Sequence, residues 1–147
     1  MVVRYTLLMT ESNVSPHLVV GKTGEDHAAQ FLRTNGYRIL ERNVRVGKHD
    51  EIDIIAMDPR EDILVFVEVK TRSQENVDYV PSLNFTQKKR TNLFRAARRW
   101  MDAQKYDRGY RFDLLGIMGN TIVEHLIDVR VRDEQRKPRR SWQVVPW

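Results

Sequence analysis

The 147-residue chain contains no cysteine, which excludes both a disulfide framework and a cysteine-ligated zinc site. No stretch approaches the ~18 consecutive apolar residues needed to span a bilayer, so no membrane partner is expected. The opening MVVRYTLLMTESNVSPHLVV lacks a basic region followed by an unbroken apolar core, which argues against a secretory signal. A cytoplasmic protein is the expectation. The four histidines, His17, His27, His49 and His125, show no i, i+4 pair of the kind that grips zinc on a helix. Gly21-x-x-Gly24 lacks the strand-turn-helix setting of a dinucleotide fingerprint, and no serine stands in a nucleophile motif.

What is present is an ordinary globular mixture, 41% hydrophobic and 31% charged, at a length suited to one domain. The net charge is +5, and its distribution is uneven. Between Gln87 and Arg111 stand Lys88, Lys89, Arg90, Arg95, Arg98, Arg99, Lys105, Arg108 and Arg111, opposed only by Asp102 and Asp107. A second basic cluster runs from Arg130 to Arg140. Such asymmetry fits a polyanionic partner, nucleic acid above all, although composition alone does not separate this from a solvated helix face and a basic tail.

Periodicity outlines the elements. Residues 1–20 form an extension with a short strand over Val2–Met9. Thr23 and Asp26 suggest a capping box for a helix reaching about Asn35, which Gly36 ends. Strands are expected over Tyr37–Arg45, Glu51–Met57 and Ile63–Thr71, with Asp58-Pro59 turning the last two. Leu93, Ala96, Ala97, Trp100 and Met101 place an amphipathic helix over 86–103. Strands over 111–118 and 121–129 flank Gly119-Asn120 as a two-residue hairpin turn. The order predicts a mixed sheet with helices packed on it, followed by a basic, tryptophan-containing tail over 130–147.

The apolar run Ile63–Val69 nonetheless carries Glu68 and ends at Lys70, next to a strand bearing Glu51 and Asp53. Period two puts Glu68 and Lys70 on one face, and Glu51, Asp53 and Ile55 on one face of the neighbouring strand. A turn centred on Met57–Asp62 sets Asp53 opposite Phe66 and Glu51 opposite Glu68, gathering the acids and Lys70; a one-residue slip would separate them. Two carboxylates ~4 Å apart repel by roughly 4 kcal/mol at an effective dielectric of 20, so a cation is required. Lys70 supplies part of that charge. A hard divalent ion such as Mg²⁺ binds through one or two carboxylates plus water, and acidifies that water. Glu25, in the first helical turn, is stabilised there by the helix dipole in any case. It also continues the core-facing stripe of Ala28, Ala29 and Leu32 and would complete such a site. The alternative is a structural Glu68–Lys70 pair with surface acids nearby.

The segments GKTGEDHAAQFLRTNGYRILERN, EIDIIAMD, LVFVEVKTR, TQKKRTNLFRAARRW and RFDLL…VEHL, spanning about Gly21 to Asp128, resemble the YraN-like family of small bacterial proteins. More broadly they are similar to the PD-(D/E)xK nuclease superfamily, which includes archaeal Holliday-junction resolvases. That resemblance implies an α/β, restriction endonuclease-like fold with a mixed central sheet flanked by helices. It also implies catalytic roles for Glu25, Asp53, Glu68 and Lys70, and Mg²⁺ or Mn²⁺ held by Asp53, Glu68 and the Val69 carbonyl. Gln87 or Lys88 would approach from the following helix. The pattern departs at Asp50, where relatives carry glycine; the substitution adds negative charge beside the acids.

The expected activity is metal-dependent endonucleolytic hydrolysis of DNA, selective for structure such as branching rather than for sequence, with RNA not excluded. Gln87, Lys88, Lys89, Arg90, Arg95, Arg98 and Arg99 would grip the backbone, and a homodimer would pair two cuts. The alternative is a nucleic-acid-binding module with a nuclease fold and no turnover. A third reading, a structural or protein-binding domain, would show no affinity for either nucleic acid.

Overall fold

The computed structural model describes residues 2–3, 24–72 and 81–129. A two-residue strand β1 (Val2–Val3) is followed by helix α1 (Gly24–Thr34), strands β2 (Arg38–Val46), β3 (Asp50–Asp58) and β4 (Ile63–Arg72), and a short 3₁₀ turn (Pro81–Asn84). Helix α2 (Gln87–Gln104) and strands β5 (Tyr110–Met118) and β6 (Thr121–Leu126) complete the order. The sheet reads β1-β6-β5-β4-β3-β2 across its width, with β4 and β5 parallel and every other neighbouring pair antiparallel. A parallel neighbour requires a crossover, and α2 supplies it. No helix among the described residues is long and apolar enough to cross a membrane.

The two sheet faces are covered by different helices because each helix has one apolar stripe. Ala28, Ala29 and Leu32 of α1 pack on Ile54, Ala56, Val65, Val67, Leu115 and Ile117. Leu93, Ala96, Ala97 and Met101 of α2 pack on Ile52, Ile55, Leu64, Phe66, Phe112 and Leu114. Phe66 is the hub of the second layer, with the Phe112, Trp100 and Tyr110 rings at 5.6, 5.9 and 6.3 Å. Strand β4, central and apolar from Leu64 to Val67, is buried on both faces. The result is an α/β sandwich with a restriction endonuclease-like arrangement.

Gly36 ends α1 at φ +87°, where its own N–H and that of Tyr37 satisfy the carbonyls of Arg33 and Leu32. Gly119-Asn120 forms the expected two-residue connection between the Met118 and Thr121 partners. The capping role assigned to Thr23, the strand beyond Val3 and the tail from Arg130 all lie outside the described residues.

One expectation about pairing is corrected. The β3–β4 ladder runs from Asp58↔Ile63 to Ile54↔Val67, which sets Ile55, not Asp53, opposite Phe66. The strands extend to Asp58 because its carboxylate accepts the Arg60 N–H at 3.1 Å and fixes the turn, with Asp62 at φ +51° closing it. The shift is two residues, an even number, so the facing of Glu68 and Lys70 is preserved.

Candidate active site

Below Ile54↔Val67 the β3–β4 ladder stops, while β4 stays paired with β5 as far as Arg72↔Met118. The N–H of Val69 therefore has no strand to receive it. Asp53 solves this: its Oδ2 accepts the Val69 N–H at 2.7 Å, so the carboxylate takes the place of a backbone acceptor in the gap between strands. The N–H and C=O of one strand residue leave by the same edge, so the Val69 carbonyl opens on the same gap. Two residues along, Lys70 Nζ donates to Glu68 Oε1, and both of these side chains are only 14% exposed. The sequence motif is thus assembled into three adjacent groups.

The electrostatics of these groups are unbalanced. The Asp53 carboxyl is pushed up to about 7, first by burial and then by the Glu68 charge; the Val69 N–H and Lys70 oppose the rise without cancelling it. Glu25 adds a smaller push in the same direction. It comes within reach because Gly24 lets the start of α1 approach β4, where a Cβ would run into Thr71 Oγ1. Among the described residues nothing donates a hydrogen bond to Asp53 Oδ1 or Glu68 Oε2.

Helix α2 enters from the other side. Thr86 caps it, accepting the Lys89 N–H at 3.4 Å. Lys89 of this helix lies close enough to Lys70 and Glu68 to feel their charges. Its ammonium is held below the usual lysine range, first by the neighbouring Lys70 charge and then by partial burial. Gln87 and Lys88 are exposed beside it.

Several other assignments change. Glu51 does not join Asp53: it is exposed and stands opposite Arg45, while its neighbours Asp50 and Ile52 face α2. The side-chain alternation is broken between Ile52, which faces α2, and Ile54, which faces α1. Asp50 does not load the site with charge, because it turns to Arg95 and Arg99 at 2.6 and 3.3 Å. Those two arginines are therefore committed at one end, though half exposed. Arg90 lies 4.6 Å over the Phe85 ring and donates to the Phe85 carbonyl. Arg98 is half buried. Arg111, the last residue of the basic run counted above, is buried and bonded to Asp113, Asp58, Glu61 and Tyr37.

Sequence reasoning also missed Glu124, which is 7% exposed and accepts the N–H and hydroxyl of Ser82, holding the 3₁₀ turn over β6. Opposite charges two apart in a strand, as in Arg111-Phe112-Asp113, were the available signal for the buried network. Nothing local marks Glu124 or Asp50, whose partners are 42 and 45 or more residues distant.

Among the described residues no three His, Cys, Asp or Glu side chains converge on one point, so the site is not an all-protein metal cage. Two carboxylates with open oxygens and one backbone carbonyl remain, a donor set suited to Mg²⁺ or Mn²⁺ completed by water and a phosphate oxygen.

The model of the uncharacterised protein family UPF0102 matches residues 24–117, from the start of α1 through most of β5. Among curated relatives, a UPF0102 protein of Pelobacter propionicus is 41% identical over 74% of this chain and 79% of its own length. One from Cytophaga hutchinsonii is 35% identical over 77% of this chain and 96% of its own. Another, from Nitratidesulfovibrio vulgaris, is 39% identical over 86% and 94%.

Proposed function

The chain belongs to the uncharacterised family UPF0102, also called YraN-like, and from its site geometry we propose that it hydrolyses phosphodiester bonds in DNA with the help of a divalent cation. The observation that carries this reading is the under-neutralised Asp53–Glu68 pair at the open end of the β3–β4 ladder, with two lysines beside it. A carboxyl raised to about 7 by burial and a like charge costs stability, and such groups cluster at functional sites. Asp53 Oδ1, Glu68 Oε2 and the Val69 carbonyl would hold the cation. When bound, it supplies positive charge to a phosphate oxygen and acidifies water.

The chain's own residues do the rest. Asp53 is fixed by the Val69 N–H, so its free oxygen is aimed without conformational search. Lys70, tethered to Glu68, has two further protons to donate, one to the attacking water and one to a non-bridging phosphate oxygen. Lys89 meets the same phosphate from α2, and an anion between the two amines relieves their repulsion. Among the described residues no base-reading helix is presented, so shape rather than sequence would decide the substrate.

A second reading, binding without turnover, draws on the mutual satisfaction of Glu68 and Lys70. The test is a cleavage panel of single-stranded, duplex, flap and four-way DNA with Mg²⁺ or Mn²⁺. Wild-type protein is expected to produce nicks, and Lys70→Ala to slow them by about 10²–10³-fold while binding persists. Salt-sensitive binding with no product in any combination selects the second reading.

A further inference from the structure

The β2–β3 hairpin turns through Gly47, Lys48 and His49, closed by the Val46↔Asp50 partners, with Gly47 at φ +70°. Its tip does not stand free. Asp50 is 4% exposed and accepts Arg95 Nε at 2.7 Å and Arg95 Nη2 at 2.6 Å, a two-pronged grip across to α2. Arg99 Nη1 reaches the same carboxylate at 3.3 Å, and Arg95 is further held by Asn92 Oδ1 at 3.2 Å. A Cβ at Gly47 would lie 2.9 Å from Arg99 Nη1, so the tip backbone sits directly against the guanidinium. The Arg95 hydrogen bonds hold the Asp50 carboxyl below its usual range, which keeps the clamp closed at neutral pH.

This docking has a consequence for surface charge. Lys48 and His49 are exposed at the tip, and the Arg95 and Arg99 side chains remain 46% and 54% exposed despite their bonds. Asp50 is the only acid of this group and it is buried beneath them. On the opposite face Arg45 stands across from Glu51, so no surplus arises there. The hairpin tip and the Arg95 to Arg99 stretch of α2 thus present adjoining cationic side chains, with exposed Asp102 one turn beyond Arg99.

We propose that this surface, the hairpin tip carrying Lys48 and His49 locked by Asp50 to Arg95 and Arg99, is a second phosphate-binding element for duplex DNA. The inference rests on the nuclease reading above and extends it. Lys48, in the turn, stands five residues before Asp53, at most about 16 Å at ~3.3 Å per residue. Arg99 stands ten helical residues from Lys89, about 15 Å at ~1.5 Å per residue. Phosphates of one strand rise ~3.4 Å apiece along the duplex axis, so an element lying along that axis meets the backbone about four or five phosphates from the bond that is cut. Among the described residues no Phe, Tyr or Trp side chain on this surface is fully exposed, and His49 is its one fully exposed ring. The surface offers charge with little of the stacking platform that single-strand binders use, which favours duplex.

The test uses fluorescence anisotropy of the full chain on labelled duplex and single-stranded DNA, without divalent cation, over a salt series. Lys48→Ala, an exposed change with no bonded partner to lose, is expected to weaken duplex binding several-fold and make log K against log salt shallower by about 0.9. Single-strand binding should not change. Wild-type affinity and slope in Lys48→Ala, or a wild-type preference for the single strand, overturns the inference while leaving a cleaving protein's nuclease assignment intact. If wild-type protein binds neither DNA, this inference falls together with the nuclease reading.

Discussion

The two ends of the β3–β4 pair both bury carboxylates, with opposite electrostatic outcomes. At the turn end Asp58 accepts three hydrogen bonds from Arg60 and one from Arg111, at 2.9–3.1 Å. Burial raises its carboxyl, but the Arg60 and Arg111 bonds outweigh that and leave it below the ordinary range. Arg111 also binds Asp113, which accepts the Asp128 N–H and shares a hydrogen bond with His125 at 3.0 Å. Burial works against the Arg111 cation, yet Asp113 and its neighbours more than compensate. At the other end Asp53 has one backbone donor and a like-charged neighbour, and its carboxyl rises to about 7. The same fold thus neutralises one set of buried acids internally and leaves the other short of positive charge. The first arrangement holds the protein together; the second is the imbalance on which the proposed cation site rests.

Mutations at the two ends should separate these roles. The largest effect on stability is expected from Arg111→Met, which strands Asp58 and Asp113 in the interior and should cost about 3–5 kcal/mol in urea unfolding. A loss under about 1 kcal/mol would erase the contrast. Asp50→Ala lies between, since it frees two half-exposed arginines and undocks the hairpin. About 1 kcal/mol is expected after allowance for solvent screening, with faster amide exchange at Gly47–His49.

Asp53→Asn should cost nothing measurable at neutral pH in metal-free protein, and the direction with pH is diagnostic. The native carboxyl stands above the unfolded value of ~3.9, so folding favours its protonated form. That stability is whole below about pH 4 and is lost as pH rises through about 7. The variant should therefore gain on wild type across that window. Asp58, lowered in the native state, behaves oppositely: its stabilisation is present above pH ~3.9 and lost as pH falls through its native value. Unfolding curves of wild type and Asp53→Asn from pH 4 to 8 that run parallel would contradict the unbalanced site.

Much of the fold was legible from period and punctuation. The apolar stripes of α1 and α2, Gly36 past the first helix and Gly119-Asn120 between β5 and β6 are local signals, and the elements formed where those signals place them. The joint facing of Glu68 and Lys70 was equally readable, because two residues in a strand always share a side. Register was not, since the symmetric turn expected between β3 and β4 was displaced by the hold of Arg60 and Arg111 on Asp58. The basic segment 87–111 misled in a similar way: it looks uniform in sequence, yet Arg111 is sealed in the core and Lys89 stands beside Lys70.

By itself, then, the order of residues determined the strands and helices, the face on which each apolar stripe lies, and the family to which the chain belongs. These depend on neighbours within one or two turns of backbone. Only the tertiary structure decided that Asp53 fills the break in the ladder, that Asp50 serves α2 instead of the acids, and which cations stay available to a ligand. Coulomb energy depends on through-space separation and burial. Both are set when β4, α2 and β5 close the crossover, bringing together charges that lie dozens of residues apart along the chain.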